Sequence, residues 1–386
     1  MKISSERILT THVGSLPRPA RLFELIVAKE KGGPVDEAEF DAESARAVAD
    51  CVAQQIASGI DIVSDGEMSK LSYTFYVRHR VAGIGMDAAA AEKGRQIMIG
   101  LDQIEHPDFT ARLAAFRDTP FPACLGPVSY ADRAPLERDL AHMEAAVAKA
   151  KPVEAFMTAP SPGTLTRFIV DTYYKDEDTY VDALAKAMRT EYQAIVGAGF
   201  LLQIDCPDLA SSRNNQYRHL SDEQFRRIAE RNVAALNAAT EGLPGDRMRL
   251  HICWGNYEGP HTHDIPIATI MDICMKGRPR AFSFEGANPR HDHEWEDMKS
   301  LRIPDDMVLI PGVLDSTTNF VEHPRLVAQR IGRYADIVGR ERVIAGADCG
   351  FATVASGSPM VAPSIVWAKF KALAEGAAIA SKKLWR

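Results

Sequence analysis

Eight short apolar runs separated by longer amphipathic ones constrain this chain more than any other feature. The runs lie at 9–14, 60–64, 152–157, 199–205, 247–253, 281–285, 307–313 and 342–347. Helical periodicity fills most of the intervals, at 42–58, 178–197, 222–240, 265–276, 323–338 and 363–380. Strands that alternate with helices call for crossover connections, and therefore for a parallel sheet. Eight of them predict an α/β protein closed into a (β/α)8 TIM barrel, with a doubly wound open sheet as the rival. No G-x-G-x-x-G follows the first run, which weakens a dinucleotide-binding form of the rival. The segment 85–130 breaks the alternation with an Ala-rich stretch at 88–91, then QIMIGL and FPACLGPVSY. It reads as an insertion between the second and third barrel strands, with a hairpin as one form. No repeat, low-complexity tract or linker divides the chain, so residues 1–386 are expected to form a single barrel domain carrying that insertion.

Hydrophobic residues are 46% and charged residues 25%, enough apolar material for a large core. The 45 basic residues are outnumbered by 52 acidic ones, a net charge of −7. A nucleic-acid partner would call for a basic excess, so none is expected. No apolar run approaches the roughly 18 residues of a membrane span, so no membrane partner is expected either. The N-terminal stretch MKISSERILTTHVGSLPRP lacks the apolar stretch of about 7–15 residues of a secretory signal, which points to the cytoplasm. A homo-oligomer is compatible with all of this. The six cysteines, Cys51, Cys124, Cys206, Cys253, Cys274 and Cys349, are scattered. In that setting metal binding, catalysis or simple burial is a better reason for a cysteine than a disulfide.

Each apolar run ends in chemistry: Gly14-Ser15, Asp65-Gly66-Glu67, Thr158, Asp205-Cys206-Pro207-Asp208, His251-Ile252-Cys253, Glu285, Asp315 and Asp348-Cys349. In a (β/α)8 barrel all these ends open on one face, where active sites are built. His251 and Cys253, two apart on a strand, point the same way. With Glu285 and Cys349 they make a thiolate, imidazole and carboxylate set that suits Zn²⁺. The alternative is a buried histidine, two core cysteines and an ion-paired glutamate.

Seven segments occur in the order of a known family: TTHVGSLPRP (10–19), DIVSDGE (61–67), LLQIDCPDLA (201–210), HIC (251–253), FSFEG (282–286), PGVLDS (311–316) and AGADCG (345–350). The chain resembles the catalytic C-terminal barrel of the cobalamin-independent methionine synthases over nearly its whole length. It looks like the shorter, single-barrel members, among them archaeal-type methionine synthases and the epoxyalkane:coenzyme M transferases. The resemblance implies one catalytic zinc as cofactor, with His251, Cys253, Glu285 and Cys349 as metal ligands. It implies that Ser15, Glu67 and Asp205 hold the amino acid part of homocysteine. Carboxylates suit the ammonium group, and Ser15 suits the carboxylate.

Two thiolates and a carboxylate make an electron-rich zinc. Such a centre favours alkylation of a bound thiol over activation of water. Glu285 is then the exchangeable ligand, and chemistry is assigned to Glu285 and Asp205. Two departures touch the methyl donor. The family's pterin-stacking Trp falls near Thr166 in TAPSPGTLTRF (158–168), and the family's proton-donating His falls near Thr317, with His323 further on. Methyl-tetrahydrofolate is therefore expected to be a poor donor unless Tyr173, Tyr174 or His323 takes over. The loops 254–264 and 288–296 add His261, His263, Arg290, His291 and His293 as a lid, an anion pocket or a solvated surface; Arg290 and His323 are counted as substrate contacts. The leading expectation is a zinc-dependent transferase moving a methyl or small alkyl group to a thiol, with a small-molecule thiol and an alkyl donor as partners. Epoxide opening by coenzyme M and a non-catalytic zinc-binding barrel are the alternatives.

Overall fold

A computed structural model describes residues 1–111, 121–354 and 359–386. In chain order the strands are β1 (Leu9–Thr10), β2 (Ile62–Ser64), β3 (Val81–Met86), β4 (Pro122–Tyr130), β5 (Glu154–Pro160), β6 (Val170–Asp171), β7 (Leu201–Asp205), β8 (Met248–His251), β9 (Ala281–Phe284), β10 (Val308–Pro311) and β11 (Ile344–Ala345). Six form one parallel sheet in the order β10-β9-β8-β7-β5-β2, and β1 pairs in parallel with β11. Hydrogen bonds join these two pieces at both seams. Asp61 N–H donates to Thr10 O at 3.1 Å on one side, and Gly346 N–H donates to Pro311 O at 3.0 Å on the other. Parallel bridges Leu309↔Val343 and Gly312↔Gly346 complete the second seam. The ring is the eight-stranded barrel expected from the alternation, and its strands coincide with the eight apolar runs.

The period of two along each strand sorts side chains between two cores. Leu9, Ile62, Phe156, Leu201, Ala281, Val308, Ile310 and Ile344 pack together as a layer inside the ring. Their neighbours Val63, Met157, Leu202, Leu250, Phe282, Leu309 and Ala345 join the larger core under the helices. On β8 the inward residue is Arg249. Its guanidinium lies 3.5 Å from the Phe156 ring centroid, and donates to Gln203 Oε1 at 2.7 Å, Thr11 Oγ1 at 3.0 Å and the His12 carbonyl. This polar plug separates the apolar layer from the C-terminal face.

The helices Glu37–Ala57, Glu177–Gly197, Asp222–Ala239, Ile267–Cys274, Pro324–Val338 and Pro363–Leu384 cover the outside, as the periodicity requires. Ladder pairing is shorter than the apolar runs in several strands because the chain leaves the sheet to aim its polar ends. Gly14, at φ 142°, is one such exit: a Cβ there would lie 2.6 Å from Thr158 Cγ2.

The insertion starts a few residues earlier than expected. β3 pairs antiparallel with β4, and β4 pairs in parallel with β6. Helices Ala88–Met98, Leu101–Glu105 and Pro107–Thr110 lie between β3 and β4, so it is more than a hairpin. Residues 112–120 of the expected insertion fall outside the described residues. Among the described residues, no helix is long and apolar enough to cross a membrane.

Candidate active site

The barrel's C-terminal face opens into a cavity of about 560 Å³ lined by Ser15, Glu67, Asp205, His251, Cys253 and Cys349, among others. His251 ends β8, Cys253 follows two residues later, and Cys349 follows β11. One ligand atom from each lies within 4.8 Å of the others. His251 Nδ1 is 3.2 Å from Ser283 Oγ, which leaves Nε2 buried and without a partner among the described residues. Burial, helped by the Arg249 charge, pushes this imidazole down to about 3, so it is neutral as a metal ligand must be. The sulfurs of Cys253 and Cys349 are 3.5 Å apart and not bonded as a disulfide. Gly255 N–H donates to Cys253 Sγ at 3.3 Å.

Glu285 stands beside this trio but outside it. Its Oε1 accepts from Trp254 N–H and its Oε2 from Asn288 Nδ2, both at 2.8 Å. Burial and the neighbouring Cys253 push its carboxyl well above the usual range. Two thiols and a buried carboxyl cannot all ionise side by side, but a divalent cation reverses that preference. The orphaned imidazole nitrogen and this crowding of acids are what a soft divalent metal fits. Asp348, next to Cys349, accepts from the N–H groups of Gly286, Ala287 and Asn288 at 2.8 Å each, which fixes the loop after Glu285.

A second acidic centre lies in the same cavity. Asp205 ends β7, and its Oδ1 accepts from Gln203 Nε2 at 2.7 Å. Glu67 adopts φ 57° in the turn after β2; its Oε1 accepts from Thr158 Oγ1 at 2.9 Å, and its Oε2 has no hydrogen-bond partner among the described residues. Burial raises both carboxyls, and Glu67 raises Asp205 further. Arg18, 3.8 Å from Glu67, only partly offsets this. Ser15 Oγ is buried and unpartnered nearby. Gly350 makes room for it, since a Cβ there would sit 2.0 Å from that oxygen. The arrangement is built for a cationic ligand group.

Other residues singled out in the sequence stand elsewhere. Arg290 is exposed, with Nε on the His261 carbonyl at 3.0 Å. His323 caps the helix Pro324–Val338, accepting from Arg325 N–H at 3.1 Å, a role that the following proline favours. Neither is among the described residues that line the cavity. Tyr173 is exposed, Tyr174 OH accepts from Val128 N–H at 2.9 Å, and Thr317 bonds Asp315. Three of the loop histidines pair with carboxylates. His261 and His291 share Asp264 at 2.8 and 3.1 Å, His291 also meets Glu294 at 2.8 Å, and His263 pairs with exposed Glu105.

Sequence reasoning missed the cavity's aromatic side. Tyr73, Phe75, Phe121 and Phe168 line it, with Tyr73 and Phe75 packing edge-on against Phe168 and Phe121 edge-on against Phe75. An aromatic surface is therefore present although Thr166 is not aromatic. It also missed Arg249, although Arg249 shares His251's inward parity, and Arg167 beside Thr166.

No protein-family model matches the chain. Methionine synthase from Saccharolobus islandicus (strain Y.N.15.51 / Yellowstone #2) is 23% identical over 383 residues, covering 98% of this chain and 96% of the relative. Methionine synthase from Sulfurisphaera tokodaii is 21% identical over 344 residues, covering 88% and 85%. Among solved structures, the B12-independent methionine synthase from Shewanella sp. W3-18-1 superposes with a TM-score of 0.75 at 20% identity, covering 98% and 99% of the two chains. A putative vitamin-B12-independent methionine synthase from Listeria monocytogenes gives 0.64 at 20% identity over 98% and 99%. The resemblance to the cobalamin-independent methionine synthase family thus extends over the whole chain.

Proposed function

We propose that this chain is a zinc-dependent transferase of the cytoplasm, a single catalytic barrel that moves a methyl group to a thiol, with homocysteine as acceptor. The observation that carries the reading is one cavity bordered by both the His251, Cys253 and Cys349 trio and the buried Glu67–Asp205 pair. Its full-length similarity to methionine synthases supports the same reaction class. The six free cysteines suit a reducing compartment.

A zinc ion held by His251, Cys253 and Cys349, with Glu285 as the exchangeable fourth ligand, would keep the acceptor sulfur as a thiolate, although a free thiol has a pKa of about 8.5. The chain's own residues do the remaining work. Glu67 and Asp205 hold the acceptor's ammonium, and Ser15 Oγ receives its carboxylate. The ligand residues are all nearly buried, which keeps bulk water from the sulfur. Thr317 is occupied with Asp315 and supplies no acid to a departing folate nitrogen. Turnover of methyl-tetrahydrofolate is therefore slow, and a more activated methyl donor reacts faster.

The test is metal analysis followed by a thiol screen on the cobalt-substituted protein. One metal ion per chain is expected, with homocysteine perturbing the cobalt–thiolate absorption at lower concentration than cysteine, glutathione or coenzyme M. A preference for coenzyme M would move the reading to epoxide opening, against the repulsion that Glu67 and Asp205 offer a sulfonate. A bound metal that no thiol perturbs would leave a non-catalytic zinc-binding barrel.

A further inference from the structure

Three buried arginines near the cavity differ in what holds them. Arg249 donates to three acceptors inside the ring. Arg18 donates to the carbonyls of Leu16, Ala352, Glu67 and Lys70, and lies beside the Glu67 carboxylate. Arg167 is 5% exposed and donates only to Ser211 Oγ, and its Nε has no partner among the described residues. The carboxylate it feels, Asp208, is committed to Ser161, Thr164 and Asn232. A buried guanidinium left this way is unfavourable until an anion meets it.

Arg167 borders the cavity, with its guanidinium 5.0 Å from the Phe168 ring centroid. Tyr73, Tyr257 and Cys253 line the same cavity. Glu67 instead has Arg18 at 3.8 Å, and Asp205 is held by Gln203, which Arg249 bonds in turn. Ser211, which Arg167 holds, donates its N–H to the Cys253 carbonyl at 3.3 Å, so Arg167 stands one residue removed from the thiol pair. The cavity thus carries a buried cation, Arg167, as well as the acidic pair Glu67 and Asp205.

We propose that Arg167 is an oxyanion subsite of this cavity and binds the acid group (carboxylate, phosphate or sulfonate) of the alkyl donor. The inference rests on the transferase reading above and adds the chemical class of its second substrate. An α-amino acid carries its ammonium and carboxylate on one carbon, so the acceptor's acid group stays beside Glu67 and Asp205, where Ser15 Oγ is free. An acid group at Arg167 belongs to the other substrate, whose body meets Tyr73, Phe75, Phe121 and Phe168. The guanidinium's open Nε edge can offer an oxyanion directional, charge-assisted hydrogen bonds.

The test is calorimetric titration of the metal-loaded protein with phenyl phosphate and benzoate, and with benzyl alcohol as the neutral probe. The wild type is expected to prefer the anions by about 10-fold or more, the weight of a charge-assisted bond. Arg167→Gln removes that preference, Arg167→Lys keeps part of it, and both leave homocysteine binding unchanged. Phenyl phosphate still binds when homocysteine is saturating. Anion binding that survives in folded Arg167→Gln overturns the subsite. Should Arg167→Gln not fold, an anion affinity in Arg167→Lys equal to the wild type's overturns the directional contact. Displacement of phenyl phosphate by homocysteine, with equal losses of both in the variant, overturns the donor assignment in favour of the acceptor's acid group. A wild type that binds no homocysteine sinks the transferase reading, while the anion comparison is read independently.

Discussion

The two walls of the cavity are built on opposite plans. On the barrel wall, polar groups arrive from the ends of strands or just beyond them, and most are fixed from behind: His251 by Ser283, Asp205 by Gln203, Glu285 by Trp254 and Asn288. On the other wall, Tyr73, Phe75 and Phe121 come from the insertion and the turn leading into it, and meet Phe168 edge to face. A reacting sulfur needs groups at fixed positions, which hydrogen-bonded strands provide. A substrate's body needs shape and apolar area, which aromatic side chains supply from less regular backbone. On the proposed transferase reading, the division assigns thiol chemistry to the barrel and recognition of the alkyl donor to the insertion side.

The sharpest way to break that division is at the metal ligands. Cys253→Ser and Cys349→Ser should each abolish stoichiometric zinc while circular dichroism and melting still report a folded barrel. Cys51→Ser, Cys124→Ser and Cys274→Ser should keep zinc, because those thiols lie outside the cluster. Full zinc retention in both ligand variants would refute the assignment. Next in size is the acidic pair. Glu67→Gln and Asp205→Asn each weaken a charge-assisted contact worth roughly 1.5–3 kcal/mol, about 10- to 150-fold in affinity. Homocysteine should lose that much, and a simple alkyl thiol little. Equal losses would mean that the pair does not read an ammonium.

The barrel wall was the legible one. Strand residues alternate between two cores, so an apolar run that ends in His-Ile-Cys or Ile-Asp announces both its strand and the face on which its end opens. His251, Cys253, Cys349, Glu67 and Asp205 could be gathered on one face by that rule alone. Arg249 was available to the same parity, but a single cation in an apolar strand carries no pattern. The aromatic wall had no such rule. Tyr73, Phe75, Phe121 and Phe168 meet through a tertiary arrangement that no local period encodes, and the register of β3 on β4 includes a bulge at Ala82–Ile84. Thr166 alone made the wall look bare. Arg290 and His323 were singled out by their place in loops after predicted strands, and position alone does not say what a loop side chain bonds: Arg290 meets the His261 carbonyl and His323 caps a helix.

A smaller effect is expected behind the metal ligands. His291 stacks on Trp254 with ring centroids 4.2 Å apart. Burial opposes its charge, but Asp264 and Glu294 outweigh burial and hold it up to about 10. The unfolded value is about 6.5. A raised folded pKa adds stability that is complete below about 6.5 and is lost as pH climbs toward 10. His291→Asn should remove that alkaline slope and cost about 1.5–3 kcal/mol near neutrality. Urea unfolding of both proteins between those pH values checks it; parallel profiles would mean that the imidazole is not charged in the folded state.

The smallest expected effect tests the aromatic wall itself. Phe168→Leu keeps much of the apolar volume and removes the ring face, and aromatic contacts contribute about 0.5–1.5 kcal/mol beyond area. The donor's KM should rise about 2- to 10-fold, with zinc content, homocysteine affinity and kcat at saturating donor unchanged. That split separates a donor contact from a structural one, because a disturbed barrel would move the thiol parameters as well. It also bears on which donor the wall holds. On the proposed transferase reading this aromatic surface receives a flat ring, and binding of methyl-tetrahydrofolate is then not expected to limit its use. The expected limit is the lack of an acid at Thr317, which is bonded to Asp315. Methyl-tetrahydrofolate should therefore bind yet transfer slowly, and Phe168→Leu should weaken its binding without slowing the transfer further. Fast transfer from that donor would mean that some other residue protonates the leaving nitrogen, and the two-wall division would then have to place an acid on the insertion side.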